Sequence, residues 1–145
     1  MRALNHFIIS ALAAPLAVTA IYTGLTPPGF LFFYCLAVAA GVLIDLDHFL
    51  LARWKTGSWE QLFKALESPY RTFTDEDSVM GEDMGGTVSP GDRIVSHLTV
   101  LMLVLALYLF QPRLSLLLVY TVSLHILADL FQDWRNGRLM SFRTR

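Results

Sequence analysis

Cysteine is nearly missing from this chain. The single one, Cys35, lies inside an apolar run, so neither a disulfide framework nor a thiolate metal cluster can be assembled, and any metal must be held by nitrogen and oxygen. Charge is scarce too. Asp, Glu, Lys and Arg make up 16% of the residues against 54% hydrophobic, and the mean hydropathy is +0.51. That balance is too apolar for most soluble domains and gives a single membrane domain of residues 1–145. A basic surface is lacking as well. The longest polar stretch holds more acids than bases and no repeated basic-aromatic pattern, which excludes nucleic acid as an expected partner and leaves the lipid bilayer.

What is present is a set of long apolar runs. A hydrocarbon core needs about 20 helical residues, with roughly 17 sufficient. Four runs qualify, at about 5–24, 29–52, 94–111 and 113–132. Gly24-Leu25-Thr26-Pro27-Pro28-Gly29 stops one helix and restarts the next, and Gln111-Pro112-Arg113 does the same between the last two. The expected fold is therefore all-α, an integral-membrane bundle of four transmembrane helices with a polar insertion at 53–93. Within the insertion, Trp59, Leu62, Phe63 and Leu66 recur at helical spacing, and Ser58 with Gln61 suits a capping box. This predicts an amphipathic helix, lying on the membrane surface or packed on the domain itself. Residues 74–92 are acidic and glycine-rich with no apolar period, the pattern of a loop.

Arg2, an apolar stretch and Ala11-Leu12-Ala13-Ala14 imitate a secretory signal, but the apolar run continues well beyond those alanines, which favours a retained span. Basic residues set the orientation. With four spans, Arg2, Arg53, Lys55, Lys64, Arg71, Arg93, Arg135, Arg138, Arg143 and Arg145 share one side and only Arg113 lies on the other. Loops rich in Lys and Arg stay inside, so both termini and the insertion are expected at the cytoplasmic face of the inner membrane. Trp54, Trp59 and Trp134 then suit an aromatic belt at the headgroups.

A charge at the centre of a transmembrane helix costs roughly 2.5–3.5 kcal/mol on insertion scales, so intramembrane ionisable groups call for a reason. His6 opens the first span; Asp45, Asp47 and His48 close the second; His97 opens the third; His125 and Asp129 close the fourth. Up-down connectivity brings all of them to one end of the bundle. Asp45 with His48, and His125 with Asp129, share helix faces, as ligand pairs do in carboxylate-bridged metal proteins. The seven residues His6, Asp45, Asp47, His48, His97, His125 and Asp129 are the candidate metal ligands. Their nitrogen and oxygen donors suit one or two divalent ions, with Zn²⁺ the default and Mn²⁺, Ni²⁺ or Fe²⁺ as alternatives. Asp47 points elsewhere on its helix, which fits a supporting group, a ligand to a second ion or a general base. Arg93, four residues before His97, fits a clamp for a phosphate or developing negative charge, or a basic interfacial anchor. Asp92 reads as a helix N-cap or an added ligand.

These residues resemble the YdjM-like family of membrane-bound predicted metal-dependent hydrolases, sometimes described as LexA-regulated. The likeness rests on Asn5-His6, on Gly41-Val42-Leu43-Ile44-Asp45-Leu46-Asp47-His48 beside the family's G-x-x-x-P-D-x-D-H, on Arg93-Ile94-Val95-Ser96-His97 beside H-R-G-x-T-H-S, and on His125-Ile126-Leu127-Ala128-Asp129 beside H-x-x-x-D. Ile44 stands where the family has proline, and Asp92, Ile94 and Leu98 where it has histidine, glycine and serine. The resemblance implies an integral-membrane hydrolase, distantly related to the zinc-dependent phospholipase C and nuclease superfamily, with the matching His and Asp residues as ligands and Asp47 and Arg93 as catalytic candidates.

The expected function is thus hydrolysis of a phospholipid or other phosphoester at the membrane surface. The alternative is a non-enzymatic membrane protein that uses its metal for structure, sensing or transport. Transport is the weaker branch, because Leu98–Leu109 and Leu114–Val119 are almost purely apolar and give an ion no path to the far side.

Overall fold

The computed structural model describes residues 3–81 and 86–137. Seven α-helices follow one another among the described residues, with no strand: α1 Ala3–Ile21, α2 Pro27–Leu43, α3 Leu46–Thr56, α4 Glu60–Glu67, α5 Pro69–Met80, α6 Pro90–Ala106 and α7 Pro112–Arg135, with a 3₁₀ turn at Leu107–Leu109 after α6. Four helical stretches are long and apolar enough to cross a membrane: Ala3–Ile21, Pro27–Thr56, Pro90–Leu109 and Pro112–Arg135.

The bundle is built inside out relative to a soluble protein. Its core cluster is Ala14, Ala17 and Val18 of α1, Ala37 and Val38 of α2, and Leu117 of α7. Small residues let helix backbones approach closely, which is how helices associate where lipid removes the hydrophobic drive between them. The large apolar side chains face outward: Leu12, Leu16, Leu31, Phe32, Met102, Leu103 and Leu109 are all exposed. Both expected hairpins form. Gly24 takes a left-handed φ of 72° in the first, where a Cβ would be strained, and Tyr22 stacks on Phe33 across it at 3.9 Å. In the second, Pro112 starts α7, and the buried Ser115 hydroxyl donates to the Val104 carbonyl at 2.7 Å.

Three boundaries differ from the sequence reading. The second span is not one helix: α2 stops at Leu43 and α3 starts at Leu46, and the amides of Asp47 and His48 bond to the carbonyls of Ile44 and Asp45 at 3.2 and 3.1 Å. These bonds reach three residues back, the tighter 3₁₀ pattern. The third span begins earlier than residue 94, because Pro90 presets helical φ and Ser89 caps it. Asp92 is therefore not the N-cap. It occupies the third helical position, where its carboxylate accepts the Ser89 amide while Ser89 Oγ accepts the Asp92 amide, and Lys55 of α3 pairs with it as well.

The third difference is α5. Residues 74–80, expected as loop, are helical, with a kink at Asp75 (φ −152°, ψ 68°). Side-chain hydroxyls support this segment: Thr72 Oγ1 donates to the Ala65 carbonyl, Thr74 Oγ1 to that of Tyr70, and Ser78 Oγ to that of Asp75. Phe73 also meets Phe7 of α1 edge-on at 6.0 Å. Val79 packs against the Ala52, Ala65 and Val88 cluster; these scattered apolar contacts form no regular stripe, so the helix was invisible to pattern reading. The rest of that stretch includes residues 82–85, outside the described ones, and the bases Arg2, Arg138, Arg143 and Arg145 lie outside them too.

A short helix, α4, lies where the amphipathic one was expected, and starts one residue later than the capping box suggested. Trp59 holds the N-cap position, and Ser58 Oγ accepts the Glu60 amide at 3.1 Å. Lys64 pairs with Glu60 one turn back at 2.7 Å and holds that carboxyl below the usual range. Ala65 packs with Ala52 and Val88, while Phe63 and Leu66 remain exposed. One face thus rests on the domain and the other is left outward. Trp54, Trp59 and Trp134 are all exposed.

Candidate metal centre

The helix ends deliver the expected side chains to one place. His6 comes from the start of α1, Asp45 from the break between α2 and α3, His48 from the first turn of α3, His97 from the second turn of α6, and His125 and Asp129 from the last half of α7. All four histidines are buried, with His6 at 1%, His97 at 2% and His125 at 2% exposure. Two groups can each hold a metal ion: His6, Asp45, His125 and Asp129, and Asp45, His48 and His97, with one donor atom per residue mutually within 4.8 Å. Asp45 belongs to both.

Asp129 is the hub. Its Oδ1 lies 3.1 Å from His6 Nε2, and its Oδ2 lies 3.3 Å from His97 Nε2 and 3.4 Å from His125 Nε2. Asp45 Oδ1 lies 3.2 Å from His125 Nε2 and 3.8 Å from His48 Nδ1. Three imidazoles therefore turn Nε2 toward two carboxylates.

Two of those rings are fixed from behind. His125 Nδ1 donates to the Gly41 carbonyl at 2.8 Å; a carbonyl can only accept, so Nδ1 carries the proton. His97 Nδ1 donates to Asp47 Oδ2 at 2.9 Å. Such outer partners fix the tautomer and orient the ligand nitrogen inward. Asp47 thus supports His97 and is not a member of either ligand group. The 44–45 turn makes this division possible, since Asp45 and Asp47 both reach the cluster from neighbouring positions that a straight helix would send to different faces.

The donor set fits a divalent cation. In neutral imidazoles with Nδ1 protonated, Nε2 presents a lone pair, and here it faces carboxylate oxygens that are also acceptors. His6 and His125 stack nearly parallel with centroids 3.7 Å apart, so charging both rings would set two cations face to face. A divalent ion between the rings and carboxylates offsets the negative pair without that repulsion. Six buried atoms of the cluster, His6 Nδ1 and Nε2, Asp45 Oδ2, Asp47 Oδ1, His48 Nε2 and His125 Nε2, lack a well-formed hydrogen bond. Each such atom costs about 1–3 kcal/mol when left unsatisfied.

Arg93 stands beside the cluster on α6. Its Nη2 donates to both oxygens of Asp133 at 3.1 and 3.0 Å, and Asp133 is buried at 5% exposure. Sequence reading did not single out Asp133, although its spacing four residues after Asp129 puts the two on one face. Gly41 was likewise seen only as the start of a motif. A Cβ there would lie 2.0 Å from Ser10 Oγ and 3.0 Å from Thr121 Cγ2, so α1, α2 and α7 come together at the residue whose carbonyl holds His125. Asp92 joins neither ligand group.

No family model, curated protein or solved structure matches the chain.

Proposed function

We propose that this protein is a membrane-embedded metal-dependent hydrolase that cleaves a phosphoester, such as a phospholipid, at the cytoplasmic face of the inner membrane. The observation that carries the reading is the sharing of Asp45 between two adjacent His/Asp groups, the arrangement of sites that hold two ions and act on phosphoryl oxygens. The excess of basic residues on the sides that flank the cluster supports the cytoplasmic placement, and the motif resemblance to YdjM-like hydrolases supports hydrolysis over transport.

His6, Asp45, His125 and Asp129 would hold one divalent ion and Asp45, His48 and His97 a second. Such ions, with Zn²⁺ first in order, would supply Lewis acidity toward a phosphoryl oxygen and acidify a bound water. Asp47 Oδ2 fixes His97 while its Oδ1 lies 3.5 Å from His48 Nε2, and Asp47 is our candidate for the general base. Arg93, held on Asp133 in a net-neutral pair, is our candidate for orienting an anionic phosphoryl group by hydrogen bonding.

Elemental analysis of detergent-purified protein, combined with a phosphoester panel, tests this directly. Stoichiometric metal and product release in wild type, both lost in His125→Ala and Asp45→Asn, are expected. Full metal loading with no product from any substrate would replace the hydrolase by a structural or sensing metal protein, and no metal in wild type would remove both.

A further inference from the structure

An apolar cavity of about 230 Å³ lies against the cluster, between the α2–α3 break and the α4–α5 pair. Val42, Leu43, Phe49, Leu62, Leu66 and Phe73 are among its walls. Its polar lining consists of two residues, Asp45 and Thr72, and the Thr72 hydroxyl already donates to the Ala65 and Ser68 carbonyls. Among the described residues, Asp45 is therefore the one charged group that the cavity presents, and it is the same residue that both candidate metal groups share.

The outer rim is apolar and exposed, with Leu43, Leu46 and Leu66 all open to the surroundings. The candidate spans carry exposed Leu12, Leu16, Met102 and Leu103, and the rim has the same apolar character as that surface. The volume is below the roughly 300–1,000 Å³ of pockets that enclose drug-sized ligands, so it suits part of one flexible chain.

We infer that this cavity is the hydrocarbon subsite of the substrate: it takes one acyl or alkyl chain of a phosphoester amphiphile and leaves the headgroup at Asp45 and the metal cluster. The inference rests on the hydrolase reading and narrows its substrate to phosphoesters with a long chain next to the phosphate end. The break at Ile44–Asp45 joins the two subsites, because Val42 and Leu43 before it and Leu46 and Phe49 after it wall the cavity while Asp45 turns to His125.

The test is photolabelling that needs no turnover. Metal-loaded protein in nanodiscs is irradiated with dodecyl phosphate bearing a diazirine on its chain, and labelled peptides are mapped by mass spectrometry. Label is expected on residues 42–49 and 62–73. A tryptophan that displaces two methylenes weakens chain binding about tenfold, so labelling there should fall by that factor in Leu62→Trp and in the rim variant Leu43→Trp, with metal content and helical circular dichroism as the check on folding. Unchanged labelling in both folded variants, or label spread over the exposed Leu12, Leu16, Met102 and Leu103 surface, overturns the subsite. Cavity labelling that appears only in nanodiscs holding a single copy, and is blocked where two copies share a disc, would assign the cavity to a second copy and overturns it too. A protein that labels at the cavity but cleaves nothing keeps the subsite and loses the hydrolase; one that cleaves but does not label there loses the subsite alone.

Discussion

Toward the hairpin loops, α1, α2 and α7 meet through Ala14, Ala17, Val18, Ala37, Val38 and Leu117; toward the opposite end, the same three helices meet through His6, Gly41, His125 and Asp129. The first contact is complete in itself, small side chains against small side chains. The second sets imidazole nitrogens against carboxylate oxygens, with His6 Nε2 3.1 Å from Asp129 Oδ1 and His125 Nε2 3.2 Å from Asp45 Oδ1, in groups able to hold a metal ion. Packing of small side chains closes one end of the bundle, and a buried His/Asp cluster closes the other.

Substitutions that strike one end and spare the other sharpen this contrast. Asp129→Asn should have the largest effect, because one carboxylate faces His6, His97 and His125: metal affinity should fall by more than about 100-fold, read by elemental analysis after gel filtration. Leu117→Ala, at a fully buried position of the apolar end, should lower unfolding stability by about 2–5 kcal/mol in a detergent melt and leave metal content at the wild-type value. Loss of metal in that variant would erase the distinction between the ends. Asp47→Asn keeps the size of the side chain but weakens the support of His97 Nδ1, and chelator competition should report a drop of about 10–100-fold in metal affinity. Asp92→Ala should matter least. It removes the capping box and the Lys55 pair for about 1 kcal/mol, with no change in metal content; a lost ion would make Asp92 a ligand after all.

The four spans were legible because run length and the Pro-Gly and Pro112 punctuation are local signals. The clustering of the His and Asp side chains was legible for a different reason: up-down connectivity converts positions near span ends into proximity, so His6, Asp45, His97, His125 and Asp129 could be brought together without a structure. What supports them was not legible. The Gly41 carbonyl that holds His125 is a backbone atom with no side-chain signature, and the Arg93–Asp133 pair spans 40 residues between two helices. The interruption at Ile44–Asp45 was hidden inside an apolar run, because neither residue is a helix breaker and tertiary contacts decide the turn. Helix α5 was missed because its hydroxyl bonds to carbonyls leave no apolar stripe.

That interruption has a mechanical meaning. The two helices on either side of Asp45 belong to different layers, α2 to the spanning hairpin and α3, through Ala52, to the outer group that includes Ala65 and Val88. A divalent ion coordinated by Asp45 would act as a rivet through both layers.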